Sequence, residues 1–238
     1  MEGLQQLYDN LIAGIAKISR YLYLYIFILI LAIVFAFMNI NILMKWILVP
    51  APKEVTQFIF VTPIETMTTQ LKLSFLAALY VTIPVLTGMI FYGLANNYAK
   101  KMMGFLIPFA ISVFGMFTLG AWLGYSYLLP FVLKFLFSLA PAGIDPMISL
   151  GKYIDFCVGL IFVSGLVFEI PPLMFLLAYI GLMTSHVLAK ARKWVIVGAF
   201  IAGAILSPSP DIISQSVLAV VIWGLYEIGL VLMRMIKR

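Results

Sequence analysis

The sequence predicts an all-α, polytopic membrane protein with six transmembrane helices and both termini in the cytoplasm. Three observations carry that prediction: the composition, the spacing of the apolar runs and the distribution of charge. Of 238 residues, 64% are hydrophobic and 10% are charged, against about 45–50% apolar and about 25% charged in soluble domains. Mean hydropathy is +1.14. A soluble globule of this length could not hide so much apolar surface, because folding always leaves a share of it exposed.

The chain opens on a periodic segment. Leu4, Leu7, Leu11, Ile12, Ile15 and Ile18 recur at helical spacing, with Gln5, Gln6, Asp9, Asn10 and Lys17 mostly on other faces. Residues 1–20 are therefore expected to form an amphipathic helix along the cytoplasmic interface. No small-x-small cleavage site follows the first apolar run, so no cleavable signal peptide is expected. Apolar runs long enough to be read as spans then follow in order: Tyr21–Met38, Leu73–Ala95, Met102–Leu129 and Ile154–Met183. The fourth is interrupted by Glu169 and by the pair Pro171-Pro172. The fifth run, Trp194–Leu206, reaches only about 20 Å as a helix, short of a hydrocarbon core of about 30 Å. The sixth, Val217–Met233, is marginal. These two read as a short helical hairpin turned by Ser207-Pro208-Ser209-Pro210-Asp211. Segments 39–72 and 130–153, with Pro50, Pro52, Pro63, Pro141 and Pro146, are expected to build an external cap of short helices on a single integral membrane domain, 1–238. Gly120-x-x-x-Gly124 and Ala199-x-x-x-Gly203 are small-residue patterns that let helices pack closely.

Loop charges set the orientation. The N-terminus, the 2–3 loop, the 4–5 loop and the C-terminus hold ten of the fifteen basic residues, including Lys100, Lys101, Lys190, Arg192 and Lys193, against Glu2 and Asp9 alone. The opposite side carries five basic and five acidic residues. The positive-inside rule puts the basic side in the cytoplasm. The same rule accounts for the net charge of +6 without nucleic acid, for which no basic-aromatic patch or binding fold is present. The lone Cys157 excludes an intramolecular disulfide.

Glu169 is the most informative residue. An ionisable group near the middle of a span is costly enough to mark function, and the prolines after it free carbonyls one turn upstream and bend the helix. Such a polar, partly unwound spot is tolerated only against protein or a wet cavity. The alternative is a protonated glutamate bonded across helices as glue. Glu227, in the cytoplasmic half of the sixth span, is expected to make a snorkelled ion pair with Arg234 or a helix–helix hydrogen bond. Asp211 is a natural N-cap for the last helix, with Gln215 in its first turns. Enzyme classes fail on inventory: His186 is the only histidine and falls in a cytoplasmic loop. No metal-ligand cluster, facing aspartate pair or phosphate-binding glycine loop is present, so neither catalysis nor a cofactor is expected.

Several motifs stand together in order. Val197-Gly198-Ala199-Phe200 through Leu206-Ser207-Pro208-Ser209-Pro210-Asp211 to Gln215, Tyr226-Glu227-Ile228-Gly229 and Phe168-Glu169-Ile170-Pro171 are three of them. Pro63-Ile64-Glu65 with Lys72, and Pro108 and Pro130 about Gly120, complete the set. Over roughly residues 60–235 the chain resembles the TatC family, the polytopic core subunit of the twin-arginine protein translocase. The resemblance implies a six-span bundle with a concave groove holding the fourth-span glutamate. It also implies a multi-pass protein of the cytoplasmic membrane that acts as receptor for folded cargo bearing twin-arginine signal peptides. Such a receptor works with single-span partners of the TatA/TatB type in an oligomer and is powered by the proton gradient. Glu65, Pro171, Pro172, Asp211, Gln215 and Glu227 become candidate supporting or partner-contact residues.

Two stretches depart from the family pattern. Its N-terminal HLxELRxRL corresponds here to Leu7-Tyr8-Asp9-Asn10-Leu11-Ile12, and Ala99 stands where an acid usually precedes Lys100-Lys101. Guanidinium recognition requires carboxylates in bidentate reach. Asp9 is therefore expected to substitute for the missing acids, with Glu169 touching the signal peptide deeper in the groove. The competing reading is a relaxed or altered signal preference. A proton-coupled secondary transporter or channel titrating at Glu169 is the alternative function, and against it stand the lack of an internal repeat and the scarcity of polar groups in the spans.

Overall fold

The computed structural model describes residues 21–51, 58–59, 62–95, 99–138, 147–179, 183–206 and 212–235. The expected helix at 1–20, with Asp9, and the turn 207–211, with Asp211, lie outside the described residues. Helix α1 (Tyr21–Met38) is followed by α2 (Ile40–Leu48), strand β1 (Phe58–Ile59), α3 (Pro63–Ala95) and α4 (Ala99–Leu123). A π-helical turn (Gly124–Leu128) leads into α5 (Leu129–Ser138). Strand β2 (Ile148–Ser149), α6 (Leu150–Phe168), α7 (Ile170–Tyr179), α8 (Ser185–Lys190), α9 (Arg192–Leu206) and α10 (Ile212–Met235) complete the order. The two strands pair in parallel, Phe58 opposite Ile148 and Ile59 opposite Ser149. Among the described residues, five helices are long and apolar enough to cross a membrane. Helix α9, with 15 residues, reaches about 22 Å and falls short of a full span, as the short fifth run implied. Helix α10 has 24 residues and is one of the five.

Helices run further than the apolar runs at the external side, and the reason is local chemistry. Helix α3 starts at Pro63, ten residues before its apolar run. Thr62-Pro63-Ile64-Glu65 is a capping box with proline in the first helical position. The Glu65 carboxylate accepts the Thr62 N–H at 3.4 Å, while the Glu65 N–H donates to the Thr62 carbonyl at 3.0 Å. Helix α6 starts at Leu150, where Ser149 caps it by accepting the Lys152 N–H. Along the third span, Pro130 has no N–H for the Ser126 carbonyl and its ring crowds that oxygen. The π turn relieves this crowding, and the Leu129 N–H closes the wider ring on the Gly124 carbonyl.

The chain forms two compact units, Met1–Trp46 with Met67–Gly115, and Ile47–Thr66 with Met116–Arg238. In the first, the Tyr25 and Thr82 hydroxyls bond across α1 and α3 at 3.2 Å in a buried position, and Tyr80 packs its ring on Phe114 at 5.7 Å. In the second, Val167, Ala199, Ala219, Ile222 and Leu225 form one buried cluster. Met174, Ala178, Tyr226, Leu230 and Met233 form another. Both clusters hold α10 against α6, α7 and α9, so the elements around Glu169 share one core.

Candidate functional site

The fourth span breaks at Glu169, as the prolines require. Pro171 cannot donate to the Val167 carbonyl nor Pro172 to that of Phe168. Helix α6 accordingly ends at Phe168 and α7 begins at Ile170, with the Glu169 N–H shared between the carbonyls of Leu166 and Val167. Pro171 and Pro172 are themselves buried, which fixes the break in the packing. The Glu169 side chain is half-buried, and its Oε1 is buried with no hydrogen-bond partner among the described residues. A buried carboxyl oxygen without a partner costs about 1–3 kcal/mol or more, offset in part where the Phe117 backbone faces the carboxyl group.

Beside this break lies an apolar hollow of about 550 Å³, walled by Gly120, Leu123, Gly124 and Phe131 of the third span, by Ser164, Val167 and Phe168 of α6, and by Leu218 and Val221 of α10. Val167 and Phe168 in its wall directly precede Glu169 in the chain. The glycines shape the hollow. A Cβ at Gly120 would lie 2.7 Å from the Phe168 side chain and from the Ser164 carbonyl oxygen, and one at Gly124 would lie 2.7 Å from the Ser164 side chain. The Gly-x-x-x-Gly pattern thus brings two spans together and leaves no side chains to fill the space next to them.

The other candidates sit on supporting elements. Gln215 donates through Nε2 to the Phe200 carbonyl at 2.9 Å. Gly203 makes room there, since its Cβ would stand 2.7 Å from the Gln215 carbonyl oxygen. Gln215 therefore joins α10 to α9. Glu227 makes the cross-helix bond rather than a pair with Arg234. Its Oε2 lies 2.7 Å from Arg192 Nη2 at the start of α9, and the neighbouring Tyr226 hydroxyl donates to the Leu188 carbonyl at 2.6 Å. Arg234 is two turns away along the same helix, whereas the packing of α8 and α9 on α10 carries Arg192 directly to Glu227.

Glu65 has a role that the sequence concealed. Besides the Thr62 N–H, its carboxylate accepts the Ser149 hydroxyl and the Gly151 N–H, the latter at 2.9 Å. One carboxylate thus serves the N-termini of α3 and α6 together, where helix dipoles favour negative charge. The capping box was legible in Thr62 and Glu65; the second helix, 84 residues away, was not. Replacing Glu65 by alanine strips both ends of their acceptor, at a cost of about 1–3 kcal/mol. A lowered unfolding temperature in detergent, restored in part by Glu65→Gln, is the expected measurement.

The family model for Sec-independent protein translocase protein (TatC) matches residues 15–220. The Sec-independent protein translocase protein TatC of Azotobacter chroococcum is 34% identical over 158 residues, covering 66% of this chain and 62% of that protein. The TatC of Escherichia coli K12 is 32% identical over 161 residues, with 68% and 62% covered. That of Synechocystis is 30% identical over 196 residues, with 82% and 76% covered. This chain therefore spans somewhat under two thirds of the first and second of these relatives. Among solved structures, a twin arginine translocase receptor TatC superposes with a TM-score of 0.81 at 28% identity, over 92% of this chain and 98% of the other.

Proposed function

Because the chain belongs to the TatC family of Sec-independent protein translocase proteins, and is a multi-pass membrane protein of the cell membrane, we propose that it is the receptor and scaffold subunit of a twin-arginine translocase. It binds the signal peptides of folded precursors, carries out no catalysis, and works with TatA/TatB-type single-span subunits under the proton gradient. The observation that supports this most is the proline-broken span that keeps a buried carboxyl oxygen without a partner beside an apolar hollow of about 550 Å³. A signal peptide offers both complements: an apolar helical stretch for the hollow, and polar backbone or side-chain donors for the carboxyl. Pro171 and Pro172 hold the break open, and Gln215 and Glu227 keep α9 and α10 in place.

Asp9 is the acceptor we assign to the arginine pair, since on the cytoplasmic side Glu227 is already paired with Arg192 and Glu2 is the other acid of the N-terminal segment. A bidentate charge-assisted pair contributes about 1.5–3 kcal/mol. Asp9→Asn is accordingly expected to weaken crosslinking of a twin-arginine peptide by about tenfold or more, with lysine substitution in the peptide adding little further loss. Unchanged binding by Asp9→Asn rejects the assignment. Solute uptake by liposomes holding this subunit alone would point instead to a transporter.

A further inference from the structure

The geometry points to α2 as an anchor that lies in the external membrane interface, with its occupied faces divided among protein, headgroup and hydrocarbon. The span before it, Tyr21–Met38, rises about 27 Å at about 1.5 Å per residue and so ends at the boundary of a hydrocarbon core of about 30 Å. The chain then turns at Asn39, whose N–H bonds the Ala36 carbonyl and whose side chain bonds the Phe35 carbonyl at 2.9 Å. At its far end the helix is pinned. The Ile47 carbonyl accepts the Tyr153 hydroxyl in a buried position, and Tyr153 stands one turn inside the start of α6. The C-terminal end of α2 is thus tied through Ile47 to the first turn of α6.

The helix has three faces. At about 100° per residue, Ile40, Leu43, Met44 and Ile47 share one face, which is at least partly buried, with Ile47 6% exposed. Asn41 and Lys45 lie about 120° around from its centre and are exposed. Ile42 and Trp46 lie a further 100° or so around, exposed to 56% and 69%, and Val49 just past the helix is exposed to 75%. A helix standing out in water would leave the isoleucine and indole wet, and a helix sunk in hydrocarbon would bury lysine and asparagine. Lying in the interface satisfies both. There the indole sits at the headgroup level that tryptophan prefers, and the Lys45 ammonium reaches anionic phosphates. The occupant of the outer face is therefore phospholipid of the external leaflet.

The test uses the full chain reconstituted in vesicles of phosphatidylcholine with phosphatidylglycerol. Trp46 is left as the only tryptophan through Trp122→Phe, Trp194→Phe and Trp223→Phe. Lipids brominated near the carbonyls are expected to quench its fluorescence more than lipids brominated near the chain ends, placing it about 5–10 Å below the headgroup boundary. Should the triple variant fail to fold, a nitroxide at Ile42→Cys in the otherwise native chain gives the same reading, with oxygen collisions exceeding those of a water-soluble nickel complex. Quenching by aqueous acrylamide alone would put α2 in water and overturn the inference. Shielding from every quencher, with crosslinks between copies at Ile42, would assign the face to a second copy and overturn it equally.

Discussion

Glu169→Ala protein is expected to insert and fold as the parent does, yet to lose transport of a twin-arginine reporter by about tenfold or more, the consequence of one lost hydrogen bond of about 1.4 kcal/mol or more. The two readouts pull apart for a physical reason. In the resting chain Oε1 is buried without a partner among the described residues, so alanine removes a cost. Its stability in detergent is expected to match that of the parent within about 1 kcal/mol or to exceed it. If the carboxyl were interhelical glue, truncation would instead lower stability and leave export intact. Glu169→Gln keeps the shape and an acceptor oxygen, and is expected to retain more transport than alanine. The comparison separates a need for the acceptor from a need for the charge.

Gly120→Leu is expected to have the largest structural effect. Its Cβ alone would come within 2.7 Å of the Ser164 carbonyl oxygen and the Phe168 Cβ. The first is backbone and cannot rotate away, so the third and fourth spans must part. Even alanine there should cost about 1–3 kcal/mol by overpacking; leucine adds three carbons, and the nearest free space for them is the hollow. The expected outcome is a protein that melts markedly earlier and no longer crosslinks a signal peptide. Gly115→Leu is the control on the same helix, since a Cβ there meets nothing within 4 Å, and a non-glycine residue gains about 1 kcal/mol of helix propensity at most. Equal melting of the two variants would contradict the account of these glycines.

What was legible in the sequence follows the range of the forces involved. Spans, the broken fourth helix and the short fifth one are written in hydropathy and in proline, which act within a turn or over a run. The helix starts at Pro63 and Leu150 are set by capping chemistry at Thr62 and Ser149, local but invisible to a hydropathy reading, which places them ten and four residues late. The π turn before Pro130 is a proline effect of the same local kind, readable in principle from the missing N–H. The pairings are another matter. Nothing near Glu227 in the chain announces Arg192, 35 residues away, and the nearer Arg234 is the natural but wrong partner. Glu65 likewise meets Ser149 and Gly151 only because β1 and β2 pair. The hollow is the least legible feature of all, since it depends on where three spans leave space rather than on any residue's character.

The central claim is that the hollow walled by Gly120, Phe168 and Val221 admits a helix from another chain. A photo-crosslinking residue placed at Val221, in the hollow, tests it against the same residue at Val231, exposed on the same helix but outside the hollow. With a precursor bearing a twin-arginine signal peptide in native membranes, Val221 is expected to capture the signal peptide's apolar stretch and Val231 to capture lipid. Equal labelling of the peptide at both positions, or none at Val221 while export proceeds, would contradict the account.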